Sequence, residues 1–261
     1  MTHGTTGTIR IAGVSKRYLA RRDVIEAVRD VSLEVRSGEF VALLGASGCG
    51  KSTILAMVAG LIPVTGGEIR IENVAVTRPQ TNIGFVFQDP VLLEWRRALD
   101  NVLLSVEGRG LPLGEYRDRA RHLLQSVGLG EFEQRYPFEL SGGMRQRVSI
   151  CRALVHDPPV LLMDEPFGAL DALTREQLML DLLRIWQERQ KTVLFVTHSV
   201  SEAVFLSDRV VVLTPRPARI HEIVEIDLPR PRGLKLRQSP EFVHYMQRIL
   251  NALEAQGILH E

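Results

Sequence analysis

The sequence predicts an α/β fold, with a mainly parallel sheet, helices on its faces and a helical insert in the middle. Three observations carry that reading. Phe40–Leu44 is an unbroken apolar run ending in a Gly-rich turn, as expected of a strand buried on both faces. Further strand signals stand at 160–163, 192–196 and 209–213, with a helical stretch at 174–189 between the first two. Alternation of that kind builds parallel sheets, whereas from about 89 to 156 the texture is helical.

Taken in order, residues 1–7 are small and polar, and predict a flexible N-terminus without the basic-then-apolar layout of a signal peptide. Residues 8–35 alternate in β fashion, with Val31, Leu33 and Val35 on one face and Ser32 and Glu34 on the other. A helix is expected over 51–59, closed by Gly60, followed by strands at 67–71 and 83–87. Helical periodicity covers 116–127, with a stop at Gly128, and 143–156. Near the end, Ser239 and Pro240 suit a cap and first helical residue. Phe242, Met246, Ile249, Leu250 and Leu253 then form an apolar stripe before Gly257, expected to pack on its own domain.

Composition narrows the class. Of the 261 residues, 45% are hydrophobic and 24% charged, the balance of an ordinary globular protein. Lys plus Arg number 32 against 31 Asp plus Glu, so no net field favours nucleic acid or an acidic membrane surface. Two cysteines, Cys49 and Cys151, are too few for a disulfide framework and point to a reduced cytosolic setting. The apolar runs fall short of the ~20 residues of a membrane-spanning helix. Any membrane role is therefore expected to come through a partner.

Gly45-Ala46-Ser47-Gly48-Cys49-Gly50-Lys51-Ser52 fits G-x-x-x-x-G-K-[ST] and lies between an apolar strand and a helix start, with Thr53 next in the first turn. Glycines let backbone N–H groups converge on phosphate oxygens at the positive end of the helix. Lys51 would then bridge the β- and γ-phosphates of ATP, and the Ser52 hydroxyl would ligate Mg²⁺. Cys49, beside Lys51 and a helix N-terminus, sits where a thiolate is favoured, the alternative being a small loop residue that is unreactive when the loop is closed. The apolar strand at 160–163 runs into Asp164 and Glu165. Asp164 suits the Mg²⁺ side and Glu165 is placed to polarise a water for in-line attack. His198 follows the strand at 192–196, where ligands of open α/β sheets gather, and is a candidate for holding the γ-phosphate and the water. Leu140-Ser141-Gly142-Gly143-Met144-Arg145-Gln146 opens another helix with a second anion-binding start. One nucleotide has no obvious use for two cradles. Standing alone, the motif would serve equally as a Ser-capped helix with glycines for packing.

With these motifs the chain resembles the ATPase subunits of ABC transporters over essentially its whole length. The resemblance extends to Gln88 in Phe-Val-Phe-Gln-Asp (the Q-loop), to Gly168-Ala-Leu-Asp171 (the D-loop), to His198 (the H-loop), and to Tyr18, where the family stacks an aromatic ring on adenine. It implies a P-loop NTPase fold of ABC type with an N-terminal antiparallel β-subdomain. The ATPase domain would then span 8–232, its helical subdomain about 89–156, and a short helical tail 233–261. By the same resemblance, Gln88 joins Ser52 and Asp164 at Mg²⁺ and joins Glu165 and His198 in catalysis. Two copies would meet head to tail, each ATP lying between one phosphate loop and the Ser141, Gly142, Gly143 and Asp171 of the other copy. The expected partners are permease subunits and, through them, a solute-binding protein, with the chain peripheral on the cytoplasmic face of the cell membrane and no nucleic acid bound.

Within that family the chain is most similar to importer ATPases of the nitrate, sulfonate and taurine type. The supporting stretches are Leu92-Leu-Glu94-Trp95-Arg96, Ala98-Leu-Asp-Asn-Val102, Ser207 to Pro217 and Leu228-Pro-Arg-Pro-Arg232. The chain departs from that group at Glu94, where proline is usual, and at Ser199, where Asp is common. Trp95, with Arg96 and Arg97, could receive a short permease helix or be core of the helical insert. The alternative within transport is an exporter or lipid-extracting ATPase. DNA-repair relatives need a long coiled coil between the two nucleotide motifs, ribosome-acting relatives carry two cassettes, and a GTPase would need Asn-Lys-x-Asp. This sequence has none of these.

Overall fold

The computed structural model describes residues 7–19 and 23–258, so nearly all of the expected flexible N-terminus and the last three residues of the tail lie outside the described residues. In chain order the elements are β1 (Ile9–Leu19), β2 (Val24–Val35), β3 (Phe40–Leu44), α1 (Lys51–Val58), β4 (Gly66–Ile71), β5 (Val74–Ala75) and β6 (Ile83–Val86). Then come α2 (Ala98–Glu107), α3 (Leu113–Ser126), α4 (Gly142–Leu154), β7 (Val160–Asp164), α5 (Ala172–Arg189) and β8 (Thr192–Thr197). The chain closes with α6 (Val200–Leu206), β9 (Arg209–Leu213), β10 (Ile220–Glu225) and α7 (Pro240–Glu254). These elements form two compact units, Met1–Gln80 with Gln190–Glu261, and Thr81–Arg189.

The first unit holds an antiparallel sheet in the order β2-β1-β4-β5. Its register sets Ile9 opposite Val35 and Ile71, and Ile11 opposite Leu33 and Ile69. All six are buried, because the period-2 pattern puts them on one face. In the second sheet of this unit β3 pairs in parallel with β8 and β9, and β10 closes the edge antiparallel to β9. Every residue of β3 is buried, as its uninterrupted apolar run requires of a strand with parallel neighbours on both sides. Ser239 caps α7 by accepting from the Phe242 N–H at 3.2 Å. The apolar stripe of α7 packs on α6, β9 and β10, with Phe242, Ile249 and Leu253 buried and Met246 and Leu250 half-buried.

In the second unit β6 and β7 pair in parallel, Ile83 opposite Val160 and Val86 opposite Met163. Leu99, Val102, Val106, Ala120, Leu124, Val148 and Cys151 form the core among α2, α3 and α4. Gly84 lets α4 lie tight on β6, since a Cβ there would stand 2.4 Å from the Ala153 carbonyl oxygen.

Candidate functional site

The residues singled out in the sequence fall into both units. The first carries Tyr18, the phosphate loop and His198. The second carries Gln88, Ser141, Gly142, Gly143, Asp164, Glu165 and Asp171.

In the first unit the loop joins buried β3 to α1. Gly48 and Gly50 adopt φ of 72° and 128°, which only glycine takes without strain. Gly50 is also packed in, since a Cβ there would stand 2.8 Å from the Ala27 carbonyl oxygen. Lys51 is buried, and its Nζ donates to the carbonyls of Gly45 and Ala46 at 2.9 Å each. The ammonium thus spans the mouth of the loop at the positive end of α1. Ser47 and Ser52 are exposed, and Thr53 is half-buried. Cys49 is 2% exposed, and its Sγ lies 3.0 Å from where a Gly45 Cβ would stand. That burial removes the expectation of a readily alkylated thiol, because attack by a reagent needs access as well as thiolate character.

His198 is exposed just beyond β8, on a turn held by its neighbours. The Thr197 hydroxyl donates to Glu202 Oε2 at 2.6 Å and accepts from the Ser199 N–H at 3.0 Å. Ser199 caps α6 through the Glu202 N–H, so the departure from Asp keeps a capping side chain at this position. Tyr18 is 40% exposed on β1, and the Lys16 ammonium sits 5.1 Å from its ring centroid.

In the second unit Asp164 ends β7 and is half-buried beside Glu165, which has a φ of 42°. Gln88 Nε2 and Glu165 Oε2 both come within 4 Å of where a Gly168 Cβ would stand, so the Q-loop amide and the second acid border one space. Asp171 caps α5 through the Thr174 N–H at 3.0 Å, and bonds from the Thr174 side chain and backbone hold its carboxyl below the usual range. Ser141 caps α4 through the Met144 N–H at 3.3 Å. The two glycines after it differ. A Cβ on Gly143 would meet Thr174 Cγ2 at 2.3 Å, whereas one on Gly142 would meet nothing within 4 Å.

Three supporting residues have roles that the motifs themselves do not reveal. Gln146, 2% exposed, donates to the Phe87 carbonyl at 3.2 Å. Arg152 donates to the carbonyls of Pro90 and Val91 at 2.7 Å each. The helix that starts at Ser141 therefore holds both flanks of Gln88. Asn101, fully buried, bonds the backbone of Leu93, Arg96 and Arg97, and so fixes the turn that carries Trp95. Trp95 is 74% exposed, which excludes a place in the core.

Residues 28–168 match the family model described as ABC transporter. The chain belongs to that family. It is 48% identical to an uncharacterised ABC transporter ATP-binding protein of Methanocaldococcus jannaschii, over 94% of this chain and 91% of that one. It is 42% identical to the taurine import ATP-binding protein TauB of Roseobacter denitrificans, over 94% and 93% of the two chains. With the aliphatic sulfonates import ATP-binding protein SsuB of Bacillus cereus it shares 39% identity, over 97% and 98%. Two solved structures of one ABC cassette, 34% identical and covering 85% of this chain and all of theirs, superpose with TM-scores of 0.76 and 0.75. One is dimeric, and the other is a dimeric post-hydrolysis state bound to ADP and Pi. The fold is thus the ABC-type nucleotide-binding fold, with its antiparallel β-subdomain in the first unit and its helical insert in the second. Among the described residues no helix is long and apolar enough to cross a membrane.

Proposed function

We propose that this chain is the ATP-hydrolysing subunit of an ABC importer for a sulfonate, taurine, nitrate or similar small solute. The observation that carries the reading is the phosphate loop, in which Lys51 is tied across two loop carbonyls at the head of α1. Family membership and the import relatives narrow the reading to transport.

In this reading the N–H groups of 45–53 take the phosphates, and Lys51 exchanges its loop carbonyls for β- and γ-phosphate oxygens. Tyr18 stacks on adenine. Glu165 orients the attacking water and accepts its proton, while Gln88 and His198 hold the water and the γ-phosphate. The oxygen donors assigned to the cation, Ser52, Gln88 and Asp164, include a single carboxylate. That suits Mg²⁺ carried in on phosphate oxygens, where it would neutralise charge developing on the transferred group. Ser141, Gly142, Gly143 and Asp171 serve the nucleotide of a second copy, and the open position at Gly142 supports that assignment.

Trp95 supports the permease partner. It lines a cleft of about 310 Å³ with Arg96, Arg97, Asp100, Leu113 and Tyr136. An apolar ring flanked by cations fits a short permease helix, and Glu94 is exposed beside it. The chain would then work on the cytoplasmic face of the membrane, and the solute-binding protein would act through the permease. The experiment is co-purification with the permease, followed by transport in proteoliposomes with Trp95→Ala. We expect unchanged ATPase in the isolated variant and uncoupled transport in the complex. A variant that transports like wild type would remove the Trp95 assignment, and failure to capture any multi-spanning partner would remove the importer.

A further inference from the structure

A phosphate cradle turns successive backbone N–H groups inward, so its carbonyls must find donors elsewhere. Three carbonyls of the loop do so. Gly45 and Ala46 accept from Lys51, and Ala46 also accepts from the Cys49 N–H at 3.2 Å. The Gly48 carbonyl is held by a different cation, as Arg216 donates to it through Nη2 at 2.9 Å and Nε at 3.3 Å. The peptide joining Gly48 to Cys49 is therefore fixed at both ends, its oxygen by Arg216 and its N–H by Ala46. It lies where the chain is softest, between two glycines with positive φ.

Arg216 also reaches the loop from a firm base. The segment 213–218 runs along the loop glycines. The Leu213 carbonyl oxygen lies 3.3 Å from a Gly45 Cβ, Arg216 Nη2 3.5 Å from a Gly48 Cβ, and Ala218 Cβ 3.1 Å from a Gly50 Cβ. Ala218 is tied on both sides to β2, donating to the Ala27 carbonyl at 2.9 Å and accepting from the Arg29 N–H at 3.0 Å. Thr214 Oγ1 bonds the Pro217 carbonyl and the Arg219 N–H. Arg216 itself is exposed, so its guanidinium contributes little to the core.

We propose that Arg216 is a positioning residue for ATP binding: it holds the Gly48 carbonyl outward and, with the Cys49 N–H tied to Ala46, fixes the turn that sets the direction of the remaining loop N–H groups. Lys51 gives up its loop carbonyls when it engages phosphate, whereas Arg216 keeps its hold from the solvent side. The loop is then pre-organised by one cation while the other binds. This inference rests on the reading of 45–53 as the phosphate loop.

The test uses the full-length chain, with MgATP affinity measured by titration calorimetry and ATPase by steady-state kinetics, for wild type, Arg216→Met, Arg216→Lys and Lys51→Ala. Arg216→Met should weaken MgATP binding about tenfold, the scale of a lost charge-assisted hydrogen bond. KM should rise in parallel, with kcat held within about twofold. Arg216→Lys should recover part of the affinity, because it keeps one charged donor but not the fork. The melting temperature without nucleotide should not move. Wild-type affinity in Arg216→Met, a fall in kcat at unchanged KM, or a lowered melting temperature that Arg216→Lys does not restore would each overturn the proposal. Lys51→Ala separates the two claims. If it too binds MgATP like wild type, the loop reading has failed, whereas loss in Lys51→Ala alone defeats only the role of Arg216.

Discussion

The starts of α1 and α4 are both helix N-termini preceded by small residues, yet their surroundings differ. At α1 two loop glycines are packed in, Gly45 against Leu213 and Gly50 against Ala27, while exposed Gly48 has the Arg216 guanidinium 3.5 Å from where its Cβ would stand. The loop carbonyls are taken by Lys51 and Arg216 of the same unit. At α4 the cap is one Ser141 hydroxyl, Gly143 is needed only to clear Thr174, and Gly142 faces open space. The first start is completed by its own unit and the second is presented outward. That contrast is what a cradle for the chain's own nucleotide and a cradle offered to a second copy would look like.

The largest effect should come from the acid that follows β7. Glu165→Gln keeps the shape of the side chain and removes the base, so hydrolysis should fall by about three orders of magnitude or more while MgATP still binds. The variant should accumulate as an ATP-bound dimer on size exclusion. Turnover near wild type would take the water-orienting role from Glu165.

A smaller pair of effects sharpens the comparison directly. Gly143→Ala must displace the Thr174 methyl, and should cost about 1–2 kcal/mol of stability by denaturant melting. Gly142→Ala meets nothing and should leave stability within about 0.5 kcal/mol, yet slow hydrolysis in the dimer. If the two variants behave alike in both assays, the two glycines are not doing different things.

Much of this was legible before the structure. The apolar run of β3, the loop after it, the acids after β7 and the capped stripe of α7 are all local signals, and local signals survive in a sequence. Four elements carry too weak a signal to be legible, one of them the two-residue strand β5. Another is α2, whose N-cap, Arg97, makes no capping bond with its side chain. The others are α6, only seven residues long and buried over its last five, and the edge strand β10. The supporting residues were hidden for another reason. Gln146 serves Phe87, Arg152 serves Pro90 and Val91, and Arg216 serves Gly48. Each partner is a distant backbone carbonyl, so the pairing leaves no trace in the sequence even where, as at Gln146, Phe87 and Gly48, the residue itself lies in a motif.

The smallest expected effect concerns the far end of α4. Burial, with the Arg109 guanidinium adding to it, pushes the His156 imidazole down to about 4, and its Nε2 bonds the Ile83 carbonyl at 3.2 Å. The unfolded chain takes up a proton near pH 6.5 and the folded chain does not, so stability should fall as pH drops from about 6.5 to 4. With the ring partly open to solvent, the loss attributable to His156 should be about 1 kcal/mol. His156→Gln should flatten the stability profile over that window; an unchanged profile would place the proton uptake elsewhere.

The central claim, that catalysis is shared between two copies, is tested most directly by complementation. Ser141→Arg places bulk and charge at the outward-facing start and leaves Lys51 and Ser52 intact, so it should bind MgATP and fail to hydrolyse it. Lys51→Ala should fail for the opposite reason. Mixed together, the two inactive variants form some dimers in which one site joins an intact phosphate loop to an intact Ser141, while the other site carries both lesions. ATPase activity should return on mixing and rise with protein concentration, staying below half of wild type where the sites are cooperative. Mixtures as inactive as their components at every ratio, together with wild-type hydrolysis first order in protein, would contradict the shared site.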